Sequence, residues 1–343
     1  MDSLSQIALG AAVSVAVMGQ RTAIWKSALF GAVAGTLPDL DVLINQGDAV
    51  RNMVLHRAET HSLFWLTLFS LPFAALVARL SGQWALWKRW WLAMWLALVT
   101  HPLLDAMTVY GTQLGLPFTN FPYGVGSVFI IDPLYTLPLL VGVGWALAGH
   151  SGRRGMRANA IGLILSTAYL GWGVAAQQQA SRAASAALAA QGITAERMLV
   201  TPTAFNTLLW RVVAVGGDSY HEGFYSLLDP DRQVVFDRYP RGNSLAAELQ
   251  GNASVQRVEA FSKGFSAMRE EAGRVLISDL RMGQQPHYTF TFAVAEKRSA
   301  AVPLDPPELV SSRGDVRCLL SWLGPRLAGQ PLPPPARFCA KSQ

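Results

Sequence analysis

The sequence has few charged residues, no solenoid-type repeat and no heptad pattern. Charged residues occupy 15% of the 343 positions. The missing repeats exclude a solenoid, and the missing heptads exclude a coiled coil. The net charge is +6, but the basic residues are scattered or lie between apolar runs, which argues against a nucleic-acid partner. The length is sufficient for two domains.

The first residues, MDSLSQ, lack the basic region that begins a cleaved signal peptide and include an acidic residue. We therefore expect the first apolar segment to remain in the mature protein.

Apolar runs dominate the first half of the chain. Runs of about 20 residues are long enough to cross a bilayer. The first two runs are shorter and rich in Gly and Ala, which favours a closely packed helical hairpin. We predict an all-α polytopic membrane domain over residues 1–180, with about six transmembrane helices near 4–19, 22–37, 62–80, 89–107, 128–148 and 157–178.

The basic residues between these runs predict the orientation. Arg51 and Arg57 stand alone on one side before the C-terminal region, whereas the other side receives Arg21, Lys26, Arg79, Lys88, Arg89, Arg153, Arg154 and Arg157. Basic loops remain in the cytoplasm. We therefore expect the N-terminus, the loops 38–60 and 108–127 and everything after 178 to lie outside the cytoplasmic membrane, in the periplasm of a bacterium.

Short β-rich runs replace the long apolar ones after about residue 195. LLWRVVAV (208–215), RQVVFDRY (232–239) and HYTFTFAVAEK (287–297) are typical of strands. We predict a small extracytoplasmic α+β domain with an antiparallel sheet over 195–343. In it, we expect Trp210 to pack in the core and Arg211 to expose its charge, and we assign structural or surface roles to the isolated His221 and His287.

The sequence contains two cysteines, Cys318 and Cys339, both near its end. In an oxidising compartment we expect them to form a disulfide.

Polar side chains gather where the apolar runs reach the predicted outer side. The stretch PDLD follows the second run, HRAETHS precedes the third, and THPLLD ends the fourth. Asp2 and Asp132 lie on the same side, and we expect Asp132, which precedes a proline, to cap a helix. The shared depth of these motifs predicts one site that they build together.

The residue types in these motifs suit a divalent metal ion. Imidazole and carboxylate groups together bind zinc, manganese or iron. His101 and Asp105 are four residues apart and therefore share one face of a helix. Taken singly, PDLD could be a helix cap, His56 and Arg57 could meet lipid headgroups, and His101 with Asp105 could be a buried hydrogen-bonded pair. Taken together, they predict a metal site with candidate ligands Asp39, Asp41, His56, His61, His101 and Asp105.

The ordered motifs MDSLSQIALG, PDLD, HRAETHS and THPLLDAMTVYG resemble the YdjM-like family of bacterial inner-membrane proteins, described as membrane-bound metal-dependent hydrolases. The resemblance covers roughly residues 1–180. It implies an integral-membrane helical domain with metal-ligating His and Asp, and the six candidate ligands match the motif positions. Many members have a histidine in the opening motif, where this chain has Gln6, so no ligand role is carried over to that position.

These features favour a metal-dependent hydrolase at the outer membrane face. Its general base would be Asp39 or Asp41, with Glu59 as a further candidate, and Arg57 would hold an anionic group of the substrate. The depth of the site suggests a membrane lipid or a lipid-linked phosphoester as substrate. The alternatives are a membrane transporter or ion-handling protein, whose pathway ionisable groups would line, and a non-catalytic scaffold.

Overall fold

The computed structural model describes residues 1–148, 152–231, 233–297, 300–310 and 314–340. The chain divides into two compact units, which we describe separately. The first contains Met1–Ile44, His56–Val174 and Ala204–Asn206, and the second contains Asn45–Leu55, Ala175–Thr203 and Thr207–Gln343. The middle of the segment between the second and third apolar runs, Asn45–Leu55, thus belongs to the second unit, whereas its two ends belong to the first.

Helices form the first unit. They are α1 (Ser3–Met18), α2 (Ile24–Thr36), α4 (Leu63–Leu80), α5 (Trp87–Ala106), α6 (Pro133–Leu147) and the first part of α7 (Arg153–Ala190), whereas α3 (Ala49–Leu55) lies in the second unit.

Short polar side chains cap the N-termini of several of these helices. Asp2 accepts a hydrogen bond from the Ser5 amide at the start of α1, and Ser62 accepts one from the Trp65 amide at the start of α4. Asp132 accepts one from the Leu134 amide, which confirms its predicted role as the cap of α6.

Three helices of the described chain are long and apolar enough to cross a membrane: Ser3–Arg21, Leu63–Leu80 and Arg153–Ala190. The helical, membrane character of the region is therefore confirmed, but six spans are not. Helix α6 is apolar but has 15 residues, and α2 has 13. Helix α5 has 20 residues, but Lys88, Arg89, His101 and Asp105 reduce its hydropathy.

Helices α1 and α2 approach each other so closely that their backbones touch. A Cβ atom added at Gly10 would collide with the carbonyl oxygen of Gly31, one at Gly31 with that of Gly10, and one at Gly35 with that of Gln6. Only glycine permits this approach. The predicted helical hairpin with small residues at its interface is confirmed.

We expect Gly31→Ala to lower the melting temperature of the detergent-purified protein. The new methyl group meets backbone rather than a movable side chain, and overpacking of this kind costs about 1–3 kcal/mol. Gly144→Ala in α6 is the matched control, because a Cβ atom there has no neighbour within 4 Å. Equal melting temperatures for the two variants would contradict the close contact of α1 and α2.

Antiparallel sheets form the second unit, as predicted. One sheet has the order β1-β2-β3-β4 and another the order β10-β9-β6-β5, and β7 and β8 make a two-stranded ribbon. The strands are β1 (Arg197–Pro202), β2 (Leu209–Gly216), β3 (Ser219–Ser226), β4 (Phe236–Pro240), β5 (Ser266–Glu271), β6 (Arg274–Asp279), β7 (Gly283–Gln284), β8 (His287–Tyr288), β9 (Thr291–Lys297) and β10 (Ala301–Leu309). The first residue of the predicted strand 232–239 lies outside the described residues.

Four further helices complete this unit: α8 (Asn243–Glu248), α9 (Ala253–Phe261), α10 (Val316–Leu327) and α11 (Pro335–Ala340). A disulfide joins Cys318 of α10 to Cys339 of α11, which confirms the predicted pairing.

Strand β2 corrects one expectation about the core. Trp210 is buried as predicted, but Arg211 is buried as well. Its guanidinium forms an ion pair with Glu222 of the neighbouring strand β3 and donates a hydrogen bond to the carbonyl of Leu280. The prediction of an exposed charge is wrong because both faces of β2 are covered.

Candidate metal centre

Four candidate ligands meet at one end of the helical unit. Asp39 lies in a 3-10 turn (Pro38–Leu43) directly after α2. His61 ends a shorter 3-10 turn (Glu59–His61) directly before α4. His101 and Asp105 lie on the last turns of α5. Residues from three separate motifs therefore share one site, and their ligand atoms lie within 4.8 Å of one another.

The two histidines face each other through their Nε2 atoms, which are 3.1 Å apart. Asp39 Oδ1 lies 3.4 Å from Nε2 of His61 and 3.3 Å from Nε2 of His101. Asp105 Oδ2 lies 3.3 Å and 3.5 Å from the same two atoms. His61, His101 and Asp105 are fully buried, whereas the side chain of Asp39 keeps 22% of its exposure.

These distances fit a bound divalent ion. Ligands about 2.0–2.1 Å from a tetrahedral zinc ion lie about 3.3–3.4 Å from one another. Asp105 Oδ2 is buried without a hydrogen bond among the described residues, although Arg57 Nε lies 3.2 Å away, and a buried carboxylate oxygen of this kind favours a nearby cation. The group could therefore hold a metal ion. Two imidazoles and two carboxylates are compatible with zinc, manganese and iron, so the donor set leaves the identity of the metal open.

Hydrogen bonds to the outer nitrogen of each histidine prepare its Nε2 for a metal. Nδ1 of His101 lies 2.7 Å from the carbonyl oxygen of Gly35, so it donates its proton there. Nδ1 of His61 lies 2.9 Å from the hydroxyl oxygen of Thr60, and that hydroxyl donates to Asp41 at 2.8 Å. Both tautomers leave Nε2 as a free acceptor, the form in which imidazole binds metals.

Asp41 and His56 lie beside the four-residue group, and the carboxylate of Asp41 forms three hydrogen bonds there. Its Oδ1 lies 2.8 Å from Nδ1 of His56, and its Oδ2 accepts from the Arg57 amide at 2.9 Å and from Thr60. The His56 side chain is partly exposed. The structure thus brings these two predicted ligands to the edge of the site.

The carboxylates of the 3-10 turn are both held in the ionised form. Burial alone would raise the pKa of Asp39, but the neighbouring imidazoles of His101 and His61 lower it well below its usual range. Burial likewise opposes the ionisation of Asp41, but its hydrogen bonds from His56 and the Arg57 amide lower its pKa.

Arg57 is turned inward. Its Nε lies 3.2 Å from Asp105 Oδ2, and its guanidinium lies 5.0 Å from the centre of the Tyr110 ring. The residue is buried and has a φ of 65°, a left-handed conformation that the surrounding contacts must hold. Glu59 is exposed, and its carboxylate is not part of the four-residue group.

Gln6 is a site residue that our residue-based reasoning did not include. It is buried on α1, and its Nε2 donates to Asp105 Oδ1 at 3.1 Å and to the carbonyl of His101 at 3.3 Å. The Met1 amino group also contacts Asp105 Oδ1. The sequence feature that could have indicated this role is the opening motif MDSLSQ, in which the polar residue Gln6 lies near the start of an otherwise apolar helix.

Comparison with known proteins gives a family and one relative. A family model described as YdjM inner membrane protein matches residues 1–180. The uncharacterized protein YfhP of Bacillus subtilis (strain 168) is 29% identical over 150 residues, which are 42% of this chain and 45% of that protein. The similarity to YfhP therefore spans less than half of either chain. No solved structure matches.

Proposed function

The chain belongs to the YdjM family of inner-membrane proteins, and on this premise we propose that it is a metal-dependent hydrolase of the cytoplasmic membrane. The observation that carries the proposal is the arrangement of Asp39, His61, His101 and Asp105, whose ligand atoms surround one point at the end of the helical unit. Two imidazoles and two carboxylates gathered in this way favour a divalent cation, and hydrolytic zinc centres typically combine three such ligands with a bound water molecule.

We assign the metal to these four residues, with zinc as the first candidate and manganese or iron as alternatives. A divalent ion held there would polarise the scissile group and lower the pKa of a water molecule that it binds. Arg57 supports the site by offsetting the charge of the buried Asp105. Because Arg57 is paired with Asp105, we assign it this supporting role rather than direct binding of the substrate.

We assign proton transfer to the pair Asp41 and His56. Asp41 holds His56 through Nδ1, which leaves Nε2 of a partly exposed imidazole to take up a proton from the attacking water. Asp41 is also linked to His61 through Thr60, so one carboxylate orients both a metal ligand and the proposed base. Direct general-base roles for Asp39, Asp41 or Glu59 are the alternatives predicted from the sequence.

The outer membrane face is the proposed location of this chemistry. The distribution of Lys and Arg supports this orientation, and the disulfide between Cys318 and Cys339 agrees with an oxidising compartment for the C-terminal domain. A site at the ends of membrane helices is suited to a membrane lipid or a lipid-linked phosphoester.

Elemental analysis combined with a hydrolysis screen tests the proposal. We expect the gently purified protein to hold one divalent metal ion per chain. We also expect it to hydrolyse a phosphoester in a reaction that a chelator abolishes and that added metal restores. Protein without stoichiometric metal, even after metal is added back, would contradict the proposal.

A further inference from the structure

Two apolar segments flank the metal centre. The first is Leu40–Ile44, which continues from Asp39. Its four apolar side chains are all exposed, and Leu43 is 80% exposed. They are Leu40, Val42, Leu43 and Ile44.

The second segment is the loop 112–123, which the backbone of Thr112 and Tyr123 closes with two hydrogen bonds of 2.7 Å and 2.9 Å. Phe118 at its tip is 80% exposed, and Phe121 is exposed as well. Residues 112–131 include no charged side chain. Exposing aromatic side chains to water is unfavourable. A loop that has no charge and whose ends are joined by backbone hydrogen bonds is compatible with the edge of a bilayer.

Both segments contact the residues that lead into α4, namely Thr60, Ser62 and Leu63. Asp41 of the first segment accepts the hydrogen bond of Thr60. The carbonyl of Leu116 accepts a hydrogen bond of 2.5 Å from Ser62, and that of Leu114 accepts one of 3.1 Å from the Leu63 amide. The two segments therefore lie at the same end of α4.

The loop continues the membrane-facing surface of α4. The ring of Phe118 packs edge-on against that of Phe64, with 5.5 Å between the ring centres. Phe64 is an exposed residue in the first turn of a helix that can span the membrane. Phe118 therefore lies where α4 leaves the hydrocarbon region, the level at which aromatic side chains are enriched.

We propose that the segment Leu40–Ile44 and the tip of the loop 112–123 insert into the outer leaflet, so that the substrate reaches the metal centre from the bilayer. Asp39 is the member of the four-residue group whose side chain is partly exposed, and its neighbour Leu40 belongs to the inserted segment. An amphiphile could thus place its headgroup at Asp39 while its acyl chains remain in lipid. The substrate class, a phosphoester of a membrane lipid, rests on the proposed function, whereas the insertion does not.

Nitroxide labels on introduced cysteines measure the insertion in the full chain reconstituted into phospholipid vesicles. The native cysteines are joined in a disulfide, so a label is directed to Leu43→Cys or Phe118→Cys. Ile164→Cys on α7 is the control in lipid, and Glu271→Cys on β5 is the control in water, since both side chains are exposed.

We expect the ratio of collisions with oxygen to collisions with a water-soluble nickel chelate to be roughly threefold or more higher at 43 and 118 than at 271, because apolar oxygen partitions into lipid and the chelate does not. A ratio at both positions equal to that at 271 would overturn the insertion, whatever the enzymatic activity.

The double variant Leu43→Ser with Phe118→Ser tests the route of the substrate. We expect a several-fold loss of kcat/KM toward a phospholipid in vesicles, with unchanged hydrolysis of water-soluble p-nitrophenyl phosphate and unchanged metal content. An equal loss toward both substrates, or no loss toward either, would overturn access from the bilayer. A wild-type protein that holds no metal and cleaves neither substrate would contradict the proposed function, while the collision measurement would still decide the insertion.

Discussion

Replacing His61 or His101 by alanine is expected to lower the metal affinity of the protein by more than about 100-fold. The loss of a residue that only supports a ligand typically costs 10–100-fold, and these two residues present Nε2 itself to the shared point. Elemental analysis after dialysis against a weak chelator measures the effect. The wild type should keep one ion per chain, and either variant should keep almost none.

His56→Ala is the matched control for these variants. It removes an imidazole from the same loop region, but the His56 ring is held by Asp41 beside the four-residue group. We expect this variant to keep its metal and to lose activity. If it loses metal as completely as His61→Ala, the separation of His56 from the ligand set is wrong.

A thermal shift separates loss of metal from loss of fold. A metal that binds the native state alone at 100 times its dissociation constant stabilises that state by about 2.7 kcal/mol. Added metal should therefore raise the melting temperature of the metal-depleted wild type and of His56→Ala. It should leave a folded His61→Ala unchanged.

Much of the candidate site could be predicted from the sequence because helix geometry and the ends of apolar runs are both encoded locally. The spacing of His101 and Asp105 places them on one face of α5, and the positions of PDLD and HRAETHS at the ends of apolar runs predict that they lie at one end of the helices. The different roles of Asp39, a candidate ligand, and Asp41, a hydrogen-bond partner of the ligands' neighbours, could not be predicted. They depend on the 3-10 turn, which directs Asp39 to the histidines and Asp41 to Thr60 and His56.

The fold shows a similar division between local and tertiary information. Long apolar runs predicted α1, α4 and α7, and alternating β-rich runs predicted β2 and β9. The strand β10 has the sequence AVPLDPPEL, whose prolines oppose a strand, and its pairing with β9 decides the outcome. The burial of Arg211 likewise depends on a partner from another strand, which no local pattern reveals.

Glu222→Ala is expected to destabilise the second unit by about 3–5 kcal/mol, because it leaves Arg211 buried without its counter-charge. Glu222 also accepts a hydrogen bond of 3.2 Å from the Gln285 amide, so the substitution breaks a second contact. Hydrogen exchange of peptides from β2 and β3 in the full-length protein measures the free energy of opening. The matched control is Glu271→Ala, since the pair of Glu271 with Arg269 is solvent-exposed and pairs of that kind contribute about 0–1 kcal/mol.

The double variant Arg211→Leu with Glu222→Leu identifies the physical origin of this loss. If the uncompensated charge dominates, removing both partners should recover most of the stability lost in Glu222→Ala, because no ion then remains to be desolvated. If the double variant is as unstable as the single one, hydrogen bonds to Leu280 and Gln285 rather than charge hold the strands together. A loss below about 1 kcal/mol in Glu222→Ala would mean that water reaches Arg211, which would contradict its burial between the covered faces of β2.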